Sequence, residues 1–111
     1  MSTRILALKE KLTGINSILI KTKFNEGKIA SLQIRLSKIT NVLLENDSKI
    51  WLRTRVGEPM LKEFQDAVDI AFKVLADGDP SPESFEAALK EVERNATKID
   101  EESRRRNMVV T

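Results

Sequence analysis

The 111-residue chain contains no cysteine, no histidine and no tyrosine. Without cysteine there is no disulfide framework, no thiolate nucleophile and no thiolate metal site, a composition that suits a reducing compartment. Without histidine the chain lacks the usual general base and the commonest transition-metal ligand. A Ser-His-Asp or Cys-His site is therefore impossible within it. Catalysis would fall to carboxylates, Lys, Arg, Ser and Thr, and no catalytic motif of these residues stands out. A non-enzymatic protein without cofactor or bound metal is expected.

Other scarcities act on the fold. Only 5% of the residues are aromatic, and there are 4 Gly and 3 Pro. So few breakers in such a chain mean long elements. No apolar run reaches the length of a transmembrane helix. The opening MSTRILALKEKLTG has charges inside its apolar stretch, unlike the core of a signal peptide. An intracellular, cytoplasmic protein is the expectation. On the same ground Asn46-Asp47-Ser48 and Asn95-Ala96-Thr97 are chance matches to the glycosylation pattern.

What the chain does contain is 41% hydrophobic and 32% charged residues, a balance that favours a charge-rich helical domain over disorder. Its length suits one domain with a sizeable core. The clearest pattern is Ile29, Leu32, Leu36, Ile39 and Leu43, which step by three and four and so form one stripe on a helix. Ile34, Val42 and Leu44 widen that face, implying more than one neighbouring helix. Lys28, Ser31, Arg35 and Lys38 run along the other side.

Taken in order, Ser2 or Thr3 caps a first helix whose stripe is Ile5, Leu8, Leu12, Ile15, Leu19 and Thr22. Gly14 interrupts it, either for a close helix approach or as a tolerated glycine. The rhythm breaks at Phe24-Asn25-Glu26-Gly27, where Asn-x-Gly is helix-ending chemistry. The stripe then slips by one residue, which predicts a tight turn between antiparallel helices; one bent helix from 3 to about 45 is the rival.

The second helix is expected from about 28, continuing with a kink through 46–50 to Arg55. Gly57 ends it and Pro59 opens the third, which buries Met60, Leu61, Phe64, Ala67, Val68, Ala71, Phe72 and Leu75. Asp77-Gly78-Asp79 starts like a calcium loop, but the sixth and twelfth positions are Pro82 and Ala88, so a turn is expected. Ser81 caps a fourth helix with Phe85, Leu89, Val92, Ala96 and Ile99 as its stripe.

The expected architecture is all-α: a four-helix bundle or two consecutive helical hairpins with coiled-coil-like packing. It forms a single helical domain over 1–111. Residues 1–56 carry 11 Lys or Arg against 4 Asp or Glu, a net +7, and form a basic pair. Residues 57–111 carry 8 against 13, a net −5. Their helical part, 57–103, forms an acidic pair, and 104–111 a flexible polar tail.

These features point to a non-enzymatic protein–protein interaction module: an adaptor, chaperone-like or assembly and regulatory subunit. It self-associates or takes a partner's helix, because the stripes exceed what two short pairs can cover. Leu32, Leu36, Ile39, Leu43 and Trp51 are the candidate partner-binding residues, although Trp51, flanked by Ile50 and Leu52, reads better as a core residue at the junction between the pairs. The opposite charge of the halves would favour antiparallel assembly between subunits. The alternative is nucleic-acid binding by the basic half, with Lys21, Lys23, Lys28, Arg35, Lys38, Arg53 and Arg55 as the polyanion-binding set. Few aromatics and a competing acidic half weigh against it.

Overall fold

The computed structural model describes the backbone of Thr3–Val110 and the side chains of residues 4–106. The chain runs α1 (Thr3–Ile20), α2 (Glu26–Glu45), a 3-10 turn (Ile50–Arg53), α3 (Gly57–Ala76) and α4 (Pro82–Val110). The proposed capping by Ser2 or Thr3 and the ends of the Met108–Thr111 segment lie outside the described side chains.

Each helix follows from its apolar spacing. Ile5, Leu8, Leu12, Ile15 and Leu19 of α1 are all at most 2% exposed, as are Leu32 and Leu43 of α2. The stripes of α3 and α4 close the core from the other side, with Phe64, Val68, Ala71 and Leu75 facing Phe85, Leu89, Val92 and Ile99 across one continuous apolar cluster. Short turns make two antiparallel hairpins, α1–α2 and α3–α4. α1 packs on α2 and α3, and α4 packs on α3 and α2, so the helices stand at the corners of a square.

The ion pairs fix the direction in which the hairpins align. Arg4 pairs with Glu58 and Lys11 with Asp69 between α1 and α3. Lys28 pairs with Glu86 and Arg35 with Glu93 between α2 and α4. In both seams the partner's number rises with the first, so α1 runs parallel to α3 and α2 to α4. The result is a four-helix bundle, with the hairpins side by side and not end to end.

The α1–α2 joint is a turn, as the phase slip predicts, but its chemistry differs from expectation. Asn25 starts α2 and does not end α1: its side-chain oxygen accepts from the Lys28 amide at 2.7 Å. Gly27 lies inside the first turn of α2, and no described residue has positive φ. At the end of α1, the Thr22 hydroxyl donates to the Leu19 carbonyl at 2.7 Å. Ser81 caps α4 as expected, its hydroxyl accepting from the Ser84 amide at 3.1 Å.

Three further expectations are corrected. α2 does not continue with a kink to Arg55. It stops at Glu45, where the Asn46 amide side chain donates back to the Val42 carbonyl at 2.8 Å and terminates the ladder. Gly57 does not end a helix but opens α3, buried beneath the 3-10 turn. The tail expected from residue 104 is helical, with α4 continuing to Val110. Arg104 pairs with Asp100, Arg105 and Arg106 pair with Glu102, and the Arg106 guanidinium sits 5.1 Å from the Trp51 ring centre.

Candidate functional site

The apolar residues singled out from the sequence are used inside the chain. Leu32, Leu36, Ile39 and Leu43 are 0–3% exposed, and Trp51 is 8% exposed. The stripe of α2 therefore has no surplus to offer, because the second hairpin covers what the first leaves open. Trp51 and Leu52 lie across the end of the bundle. The indole Nε1 donates to Ser103 Oγ at 3.0 Å, and the Ser103 hydroxyl donates to Asn46 Oδ1. Both Asn46 and Ser103 are buried, and among the described residues no buried side-chain nitrogen or oxygen lacks a hydrogen-bond partner. Asn46 and Asn95, the two sequon asparagines, are each buried and bonded to a carbonyl one turn back.

The basic set is divided. Lys28 and Arg35 do not point outward; they form the α2–α4 seam. Arg35 grips Glu93 in two hydrogen bonds, of 2.6 and 3.1 Å, and Lys28 Nζ lies 2.9 Å from Glu86 Oε1. The Glu93 hydrogen bonds, opposed by burial, raise the Arg35 pKa above the ordinary arginine value. The Lys28 hydrogen bond, opposed by desolvation, holds the Glu86 carboxyl below the usual range. Lys38 stays exposed beside the α2–α4 groove. Lys21 and Lys23 lie at the turn end and Arg53 and Arg55 at the opposite end, so the set forms no single track. The attraction expected between subunits is realised between hairpins of one chain.

An open cleft of about 710 Å³ separates the two hairpin turns. Ile18, Phe24 and Leu75 give it an apolar floor, while Lys21 and Lys23 on one rim stand across from Asp77 and Asp79 on the other. The mixed rim favours neither anions nor cations. Asp77 is also occupied locally, accepting from the Gly78 amide at 2.8 Å.

The more distinctive surface is the outer face of α1–α2. From Thr13 to Ile20, α1 carries no charged residue. On α2 the charges between 28 and 44 are Lys28 and Arg35, which pair with α4, and Lys38, which is exposed at the edge of the α2–α4 groove one turn from Ile34. What remains on the α1 side is a groove of about 300 Å³ lined by Thr13, Asn16, Gln33, Ser37, Thr40 and Asn41 over Leu12 and Leu36. Ile34 and Ile20 flank it, 59% and 56% exposed. By contrast, the groove between α3 and α4 is lined by Glu63, Asp66, Glu91, Arg94 and Lys98.

Ile34 was assigned to the apolar stripe, yet one step of 100° from Gln33 carries it round to solvent. The surface left a trace in the sequence: a charge-free stretch on α1, and on α2 the small or polar Ala30, Ser37 and Asn41 in phase with Ile34. Seeing it as a surface required knowing that α4 draws Lys28 and Arg35 away.

These features define an all-α, up-down-up-down four-helix bundle. No protein-family model, curated protein or solved structure matches this chain. No helix among the described residues is long and apolar enough to cross a membrane.

Proposed function

We propose that this protein is a non-enzymatic protein–protein interaction module whose working surface is the outer face of the α1–α2 hairpin. The observation that carries the reading is the uncharged groove of Thr13, Asn16, Gln33, Ser37, Thr40 and Asn41, with Ile34 and Ile20 exposed on its helices, on a chain of which 32% is charged. Depletion of charge, with exposed apolar anchors among hydroxyls and amides, is the compositional mark of an interface centre. A preformed bundle holds this face rigid, so a partner would bind without ordering it first. Adaptor, chaperone-like and assembly roles all use such a surface.

Polyanion binding by the basic half is the weaker reading. Two of its seven cations are engaged with Glu86 and Glu93, and four of the others lie at opposite ends of the bundle. A photo-crosslinking residue at position 34, compared with one at the equally exposed position 70 on α3, tests the proposal. Protein adducts are expected at 34 and not at 70; equal or no labelling would rule the surface out.

A further inference from the structure

A second surface, apart from the α1–α2 face, lies at one end of the bundle. α2 and α3 stand at opposite corners, so the segment that joins them has to cross that end. Trp51 and Leu52 of this segment turn inward and plug the core, at 8% and 1% exposure. What turns outward is Ile50, at 77% the most exposed large hydrophobic among the described residues, and Val56, at 50%. Beside these aliphatic groups are Lys49, Arg53 and Arg55, and residues 48–57 contain no acid. Lys49 is half-buried, and Arg53 and Arg55 are exposed. The ion pairs between described residues leave all three cations out. Of the acids around this end, Glu58 pairs with Arg4, Asp100 with Arg104, and Glu102 with Arg105 and Arg106. Glu45, Asp47 and Glu101 lie before or beside the crossing segment and not in it.

We infer that this end of the bundle rests on an anionic lipid membrane. Ile50 and Val56 enter the headgroup layer, and Lys49, Arg53 and Arg55 sit among its phosphates. At that boundary the burial of apolar area and the attraction of cations add to one another. A nucleic acid would gain from the cations but not from the aliphatic groups, because bases stack on aromatic rings. The one aromatic residue of the crossing segment, Trp51, is turned into the core. A strand also needs a track of cations, and Lys21 and Lys23 stand at the far end of the bundle. A plane needs cations at one end only. A folded protein partner would have to match ~800 Å² of surface, whereas lipids adapt to a few protruding side chains. The contact is peripheral, since no helix among the described residues is long and apolar enough to cross a membrane. Two aliphatic groups and three cations make it reversible and sensitive to salt.

Co-sedimentation of the full chain with vesicles tests this, using phosphatidylcholine alone and phosphatidylcholine mixed with phosphatidylserine. At ~0.1 M salt, where charges act over ~10 Å, the wild type is expected to bind the mixed vesicles only, and to leave them at ~1 M. Each cation at an anionic surface strengthens partition about 5-fold, so losing two with Arg53→Ser and Arg55→Ser is expected to weaken it ~10–30-fold. Ile50→Ser is expected to weaken it at least ~5-fold. The same kinds of change elsewhere, Lys21→Ser with Lys23→Ser at the far end and Ile70→Ser on α3, are expected to alter it less than ~2-fold. All these positions are exposed, and circular dichroism confirms that each variant keeps the bundle. Trp51, the only tryptophan, adjoins Ile50, so acyl chains carrying bromine are expected to quench its fluorescence on binding.

No binding to the mixed vesicles, equal losses from near and far variants, or binding without quenching of Trp51 would overturn the inference. Titration with generic duplex supplies the remaining arm. An affinity for duplex that depends on Arg53 and Arg55 but not on Ile50 would give this end to nucleic acid, and so overturn it too.

Discussion

Gly57 and Gly14 show how differently one residue type is used. A methyl group at 57 would overlap the backbone of Trp51 and Leu52, which rest directly on the start of α3. That backbone has nowhere to move without lifting Trp51 from the end of the core. Gly57→Ala is expected to cost about 1–3 kcal/mol, the range for overpacking a filled site. At Gly14 the same methyl would sit 3.6 Å from the Phe72 ring, an ordinary contact. Gly14→Ala is expected to stabilise by about 0.5–1 kcal/mol through helix propensity. Urea denaturation of the two variants should give shifts of opposite sign. Ser103 is the other residue whose role is local but exacting. Ser103→Ala leaves the Trp51 indole N–H and the Asn46 carbonyl oxygen buried without partners. A loss of about 1–3 kcal/mol is expected, with a change in Trp51 fluorescence; an unchanged urea midpoint would show that water replaces the hydroxyl.

Between elements, the seams are read through pH. Glu86 has its folded-state pKa depressed below its unfolded value, chiefly by the Lys28 hydrogen bond. Its contribution is therefore complete above the ordinary carboxylate range and disappears as pH falls through the folded value. Arg35 shifts the other way, upward from an already high value, so its contribution persists across all accessible pH. The α2–α4 seam should thus weaken in acid through the Glu86 carboxylate. Glu86→Gln is expected to lower the urea midpoint at pH 7 and to converge with the wild type once acid has protonated Glu86 in the folded state. Parallel acid limbs for the two proteins would contradict this. These pairs choose alignment more than they supply stability, since each lies at the surface and is screened by salt.

Over the whole molecule the core is shared, and neither hairpin holds one of its own. Leu32, Leu36, Ile39 and Leu43 are buried in one cluster with the stripes of all the other helices, and α2 packs on both α1 and α4. A fragment of residues 1–56 is accordingly expected to lack a cooperative unfolding transition as a monomer, its helicity rising with concentration as stripes pair between chains. Far-UV circular dichroism across a dilution series reads this directly, and a cooperatively folded monomeric fragment would contradict it. The surplus of stripe expected from two short pairs is not seen in the stripes of the bundle. Side by side, the hairpins bury one another's stripes, and the surface left for partners is the polar back of α1–α2.

Periodicity was enough to mark four helical segments and most core positions, because an apolar residue every three or four places must be buried on one side; it left the first turn open against a bent helix and misplaced the end of α2. The division into a basic and an acidic half was equally plain in composition. Which charges met which was not, since pairs 54 to 58 residues apart carry no local signal. Nor was the burial of Asn46 just past the end of α2, where it accepts from Ser103, 57 residues away. The direction of Lys28 and Arg35, and with it the uncharged groove beside Ile34, was decided only when α4 settled alongside α2. A helix shows its apolar side in its own sequence, but its neighbours decide which polar side is left to solvent.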